Sequence, residues 1–142
     1  MDREIKFQIS NIDVLEAVLN PQDKSLEENQ VFNYDINLEH KLNAPEQALI
    51  IICSVIINNK DKSGIFGKFT AGCIFYIENF EDFVVEEDEN IIDLPDNFIV
   101  SLNSITISTV RGMMAGFYRG TYLHNAILPM INPASFSKKK AQ

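Results

Sequence analysis

The chain has 142 residues, room for one domain with its own core, since a fold of this size buries roughly 68–70% of its extended surface. Apolar residues make up 46% and charged residues 23%, the balance of a soluble globular protein. Acids outnumber bases 20 to 12, giving a net charge of −8 that repels phosphate backbones and argues against nucleic-acid binding.

The start, MDREIKFQIS, carries no apolar leader, and no uninterrupted apolar run approaches the ~18 residues of a membrane span. The expected compartment is the cytoplasm, without membrane insertion. Cys53 and Cys73 each sit in an apolar stretch, as buried free thiols do, and form neither a disulfide framework nor a zinc knuckle.

In chain order, Ile5, Phe7 and Ile9 alternate with polar neighbours as a strand does. Ile12 and Val14 continue the apolar set in the other phase, so one extra residue near Asn11, a β-bulge, is expected. Asn20-Pro21-Gln22-Asp23 closes the run with turn chemistry. Residues 32–42 alternate without a break, with Phe32, Tyr34, Ile36, Leu38, His40 and Leu42 on one face, the pattern of an antiparallel strand with one wet side. Asn43-Ala44-Pro45-Glu46 reads as a hairpin turn. Residues 48–57, ALIIICSVII, are apolar on both faces and call for cover on both sides. After a turn over 58–64, residues 65–78 read as a fourth strand, with Gly67 and Gly72 marking a bend or a close backbone approach.

An aromatic cluster and the acidic run Glu86-Glu87-Asp88-Glu89 come next. Asp93-Leu94-Pro95-Asp96 opens a helix over about 95–118, with Asp93 as the expected cap and Pro95 in the first turn. Phe98, Ile99, Leu102, Ile105, Thr109 and Met113 recur at helical spacing, and Gly112 and Gly116 lie four apart, a face suited to close packing. Leu128-Pro129-Met130-Ile131-Asn132-Pro133 is apolar but broken twice by proline, and Lys138-Lys139-Lys140 reads as a solvated end. The fold class expected is α+β, a four-stranded antiparallel sheet over about 4–80 with the long helix on one face, in a single domain over 1–142.

Chemistry is sparse. Only His40, in the apolar phase of a strand, and His124, in a loop, are histidines, and neither has a partner at metal spacing. No phosphate-binding glycine loop appears. The expectation is a protein that is not an enzyme and needs no cofactor. The surplus of apolar and aromatic surface points to self-association or to an apolar groove.

Several motifs stand in a consistent order: Phe7-Gln8-Ile9, Ala71-Gly72-Cys73-Ile74-Phe75, Pro95-Asp96-Asn97-Phe98, Arg119-Gly120-Thr121-Tyr122, and Leu128-Pro129-Met130-Ile131-Asn132-Pro133-Ala134-Ser135-Phe136. From Glu4 to Phe136 the chain resembles the SecB export chaperones and their SecB-like relatives. That resemblance implies a homotetramer, a dimer of dimers whose long helices lie between two eight-stranded layers. It implies an ATP-independent holdase for unfolded or precursor polypeptides, which it passes to the SecA motor. Matched by position, Phe32, Phe75, Tyr122 and Leu123 would line a client groove, and Tyr34 joins them by its spacing from Phe32. Ordinary core or inter-subunit packing is the other reading of all five. Gly112 and Gly116 would serve helix packing in the assembly. Glu16 keeps an acid of the SecA docking surface, whereas Asn20 and Lys68 replace two others, which weakens docking. Some relatives are dedicated chaperones of an antitoxin, and this chain fits that role as well. A small-ligand binding protein using the same cleft is the reading from another class.

Overall fold

A computed structural model of the chain describes residues 4–21, 31–59, 64–85 and 88–136. Its four long strands are β1 (Phe7–Leu19), β2 (Phe32–Asn43), β3 (Ala48–Asn59) and β4 (Ile65–Ile77). All neighbours pair antiparallel in the order β1-β4-β3-β2, so the first two strands of the chain are the two edges of the sheet. One long helix, α1 (Asp96–Phe117), packs on one face. The α+β arrangement read from the sequence is the one observed.

The bulge expected near Asn11 is present, because the register of β1 against β4 slips between Ile9 and Asn11. A second slip between Val14 and Glu16, unforeseen, bends the strand again and carries it on to Leu19. Positions 22–23 of the first turn, 60–63 of the turn after β3, 86–87 of the acidic run and 138–140 of the basic tail lie outside the described residues.

The core sits between β3, β4 and α1. Leu49, Ile51, Cys53, Val55 and Ile57 of β3 face the helix at 0% exposure, and their partners Phe75, Cys73, Ala71 and Phe69 of β4 continue the same layer. Ile50, Ile52 and Ile56 point to the opposite face and are only half-buried. The two-sided cover expected for this strand is therefore complete on one face alone.

Three features of the second half depart from expectation. Val84–Val85 (β5) and Asp88–Ile92 (β6) pair as a short two-stranded ribbon, where no strand was foreseen. The helix starts at Asp96 with Pro95 as its cap residue and no side-chain cap bond, so Asp93 does not cap it. Its buried stripe is Leu102, Asn103, Thr106, Ile107, Val110 and Met114, while Phe98, Ile99, Ile105, Thr109 and Met113 are only half-buried. The helix is rotated relative to that expectation, which brings two polar residues into the stripe: Thr106 Oγ1 donates to the Leu102 carbonyl, and Asn103 Oδ1 lies 2.7 Å from His40 Nε2. By length and composition α1 is also long and apolar enough to cross a membrane, contrary to the expectation from the sequence. Here its stripe packs on the sheet, as a core helix does.

The far end of the helix is locked onto the sheet by two tyrosines. The Tyr118 hydroxyl reaches the carbonyls of Val18 (2.8 Å) and Lys68 (3.3 Å), and the Tyr122 hydroxyl those of Asn20 and Phe66. Gly67 makes room for this, since a Cβ there would lie 2.8 Å from both the Tyr118 hydroxyl and the Val18 carbonyl. The close approach expected at Gly67 is thus present.

Candidate functional site

The alternation of β1 aims Phe7, Ile9, Ile12, Val14 and Leu19 at the same face as the core, opposite Ile77, Phe75, Cys73, Ala71 and Gly67 of β4. They are nevertheless exposed, Val14 at 49% and Ile9 at 42%, because α1 lies over β3 and β4 and stops short of the edge strand. The side of the helix that overlooks this row follows from two contacts. Phe98 meets Phe7 edge to face with ring centres 5.0 Å apart, which fixes that flank on β1, while Asn103 bonds His40 on β2 at the other flank. Helical spacing then sets Ile105, Thr109, Gly112 and Gly116 on the Phe98 flank.

The result is a groove whose floor is the apolar row of β1 and whose wall is this flank. Phe7 and Phe98, backed by Phe75, close one end. Phe117, packed on Phe69 and 42% exposed, stands at the other. A Cβ at Gly112 or Gly116 would meet nothing within 4 Å, so the two glycines keep the wall low and pack against no part of their own protomer.

Of the residues matched to the family groove, Phe75 backs this one from behind Phe7, and the others lie elsewhere. Phe32, Phe66 and Tyr122 stack edge to face at the end of the sheet where β2 starts, with Phe32 and Tyr122 half-buried. Tyr34 follows on β2, opposite Ile57, and burial pushes its phenol pKa up. Phe75 and Leu123 are at 0% exposure. Both belong to the core of the protomer, where Leu123 packs over Gly67 of β4. The exposed members of the groove, Ile9, Ile12 and Val14, escaped the sequence reading. Their alternation announces burial, and only the strand order shows that nothing covers them.

Glu16 lies on the opposite face of the sheet, where its carboxylate pairs with Lys68 Nζ at 3.1 Å. Asn20 ends β1, donating from Nδ2 to the Ile65 carbonyl. The thiols are sequestered: burial, then the neighbouring Cys73, pushes Cys53 up to about 12, and burial raises Cys73 against the partial counter-pull of the Thr106 and Thr109 hydroxyls. Among the described residues no three His, Cys, Asp or Glu side chains gather as metal ligands would. What the site presents is an open apolar channel beside a strand edge with no partner among the described residues.

A four-stranded antiparallel sheet in the order β1-β4-β3-β2, with one long helix laid over its inner strands, is the SecB-like fold. Among solved structures the chain superposes on Mycobacterium tuberculosis Rv1957, a SecB-like chaperone in complex with a ChAD peptide from the Rv1956 HigA1 antitoxin, with a TM-score of 0.57. Sequence identity is 13%, over 88% of this chain and 89% of that one, so the likeness is one of fold. No family model matches the chain, and no curated relative matches it.

Proposed function

We propose that the protein is an ATP-independent holdase that takes non-native polypeptide into the groove between β1 and α1. The observation that carries this is the uncovered apolar row of β1 facing a wall lowered by Gly112 and Gly116. Client side chains would be buried there with little sequence preference, each apolar side chain contributing about 1.5–3 kcal/mol at full burial. An open channel suits a chain better than a small ligand, which calls for an enclosed pocket. Cytoplasmic location and a homotetramer, a dimer of dimers, belong to the same proposal. β1 would pair edge to edge with a second copy, which leaves its apolar row facing the groove.

Delivery to SecA fits this chain poorly, because Glu16 is neutralised by Lys68 and Asn20 is engaged at the strand end. The antitoxin peptide bound by the structural neighbour supports the second reading, a dedicated chaperone for one partner.

The test is suppression of aggregation of several chemically unfolded clients. Wild-type protein should protect them, and Ile9→Asp combined with Ile105→Glu should lose most of that protection while keeping a cooperative melt. Undiminished protection by the folded double variant would remove the groove from the function. Protection of a single client from the panel would select the dedicated reading.

A further inference from the structure

Charge is divided sharply along this chain. All 20 acidic residues lie at or before Asp96, whereas five of the 12 lysines and arginines lie after it, with no acid among them. Three of these bases are Lys138-Lys139-Lys140 of the tail, and past Asp96 the helix and the loop beyond it carry Arg111 and Arg119 and no acid. In that part, where α1 ends, Ala115, Arg119, Gly120, Thr121, His124 and Ile127 surround an open concavity of about 730 Å3.

Its polar groups divide into those already spent and those still free. Thr121 is spent: Oγ1 donates to the Tyr118 carbonyl at 2.6 Å and accepts from Leu123 N. The nearby Arg111 is spent as well, holding the carbonyls of Leu128 and Pro129 at 2.8 and 2.9 Å. Two of the last four helical carbonyls are occupied, Met114 by Tyr118 N and Gly116 by Arg119 N. Arg119 is exposed, and its guanidinium has no hydrogen bond or ion pair among the described residues. His124 Nδ1 lies 2.8 Å from the Thr121 carbonyl, so Nδ1 carries a proton and Nε2 faces outward without a partner. Gly120, at φ 80, bends the backbone here without adding a side chain to the mouth. Ile127, half exposed, and Ala115 supply an apolar lip.

A free guanidinium fork over a small apolar lip, with no carboxylate in the lining, is complementary to a carboxylate on a short aliphatic stem. The concavity lies at the end of α1 that Phe117 also marks, beyond the groove rather than in its wall, since Ala115 is about 100° round the helix from Gly116. We infer that this concavity is a subsite for an acidic side chain, Glu or Asp, of the polypeptide held in the groove. Arg119 takes the carboxylate by a bidentate pair, with the exposed His124 ring beside it. The subsite rests on the holdase reading for its ligand, and it gives an otherwise undiscriminating groove a point of register.

The test uses the full-length protein and two synthetic peptides, extended and apolar, that differ by one Glu or Gln. Wild type should bind the Glu peptide about fivefold more tightly, the size of effect one exposed charge-assisted pair provides. The preference should vanish in Arg119→Gln and shrink at high salt, while the Gln peptide binds both proteins alike. A ratio of one in wild type, or a preference that survives in Arg119→Gln, overturns the subsite and leaves the holdase reading standing. If neither peptide binds, it is the holdase reading that fails. The concavity is then judged alone with N-acetylglutamate, by the NMR shift of the His124 ring carbons. A saturable shift in wild type that is absent in Arg119→Gln upholds the carboxylate site, and no shift overturns it.

Discussion

His40 and Asn103 make a single hydrogen bond inside the core and leave His40 Nδ1 and Asn103 Nδ2 without partners. Each orphan atom has given up water without replacement, which costs about 1–3 kcal/mol. Removing one member makes matters worse by stranding the other. Asn103→Leu or His40→Leu alone should therefore destabilise by about 2 kcal/mol, whereas the double replacement should come back to wild-type stability or exceed it, as read by chemical denaturation. Additive losses would show that the pair is better satisfied than its contacts indicate. The thiols give a second test at this scale. With Cys53 pushed up to about 12, only about one thiol in ten thousand is ionised at pH 8, and the side chain is fully buried. Labelling by iodoacetamide should follow the rate of opening of the β3–β4 core, and fast labelling under native conditions would contradict that burial.

Between elements, the joint of the helix end with β1 and β4 is the most constrained. Gly67→Ala would press a Cβ onto the Val18 backbone carbonyl, which cannot swing away, so a loss of about 2–3 kcal/mol is expected in thermal or urea unfolding. Tyr118 adds a pH signature to the same joint. Burial, then Tyr122, raises its pKa to about 12 against an ordinary 10, so the folded state holds a proton that the unfolded state releases. Its contribution is whole below pH 10 and fades as pH rises to 12, at about 1.4 kcal/mol per unit. Tyr118→Phe should be less stable at pH 7, having lost two carbonyl partners, yet should show a flatter alkaline limb. Some slope will remain because Tyr34 is raised too. Equal slopes in both proteins would exclude Tyr118 as its source.

The same elements explain what the sequence could and could not disclose. Alternation over 32–42 and the apolar run at 48–57 located β2 and β3, because a period of two is a local property. The buried stripe of α1 was misjudged by about one position, because Asn103 and Thr106 look like surface residues until His40 and the Leu102 carbonyl appear beside them. The ribbon of β5 and β6 gave no signal within an acidic run. The groove was legible least of all: Ile9, Ile12 and Val14 have the pattern of a covered face, and strand order, which no local pattern encodes, leaves them open.

At the scale of the molecule, the open row and the open edge belong to one strand yet serve different partners. β1 has β4 on one side and no described strand on the other. An unpaired edge of 13 residues with exposed isoleucine and valine is one that proteins usually guard. The two bulges and the acids Asp13 and Glu16 guard it only partly, so pairing with a second copy is the expected outcome. Mass-resolved size exclusion should then give a multiple of 16.1 kDa at micromolar concentration. Two substitutions separate the edge from the groove. Ile12→Lys places a charge on the strand itself and should lower both the mass and client binding. Ile105→Glu changes the helical wall and leaves the strand edge intact, so it should lower client binding while the mass stays at that of a dimer or above. If both variants change together in every measurement, edge and groove are one surface, and clients compete with assembly for it. If wild type remains at 16.1 kDa at all concentrations, β1 does not pair with itself, and its apolar row is kept for the client alone.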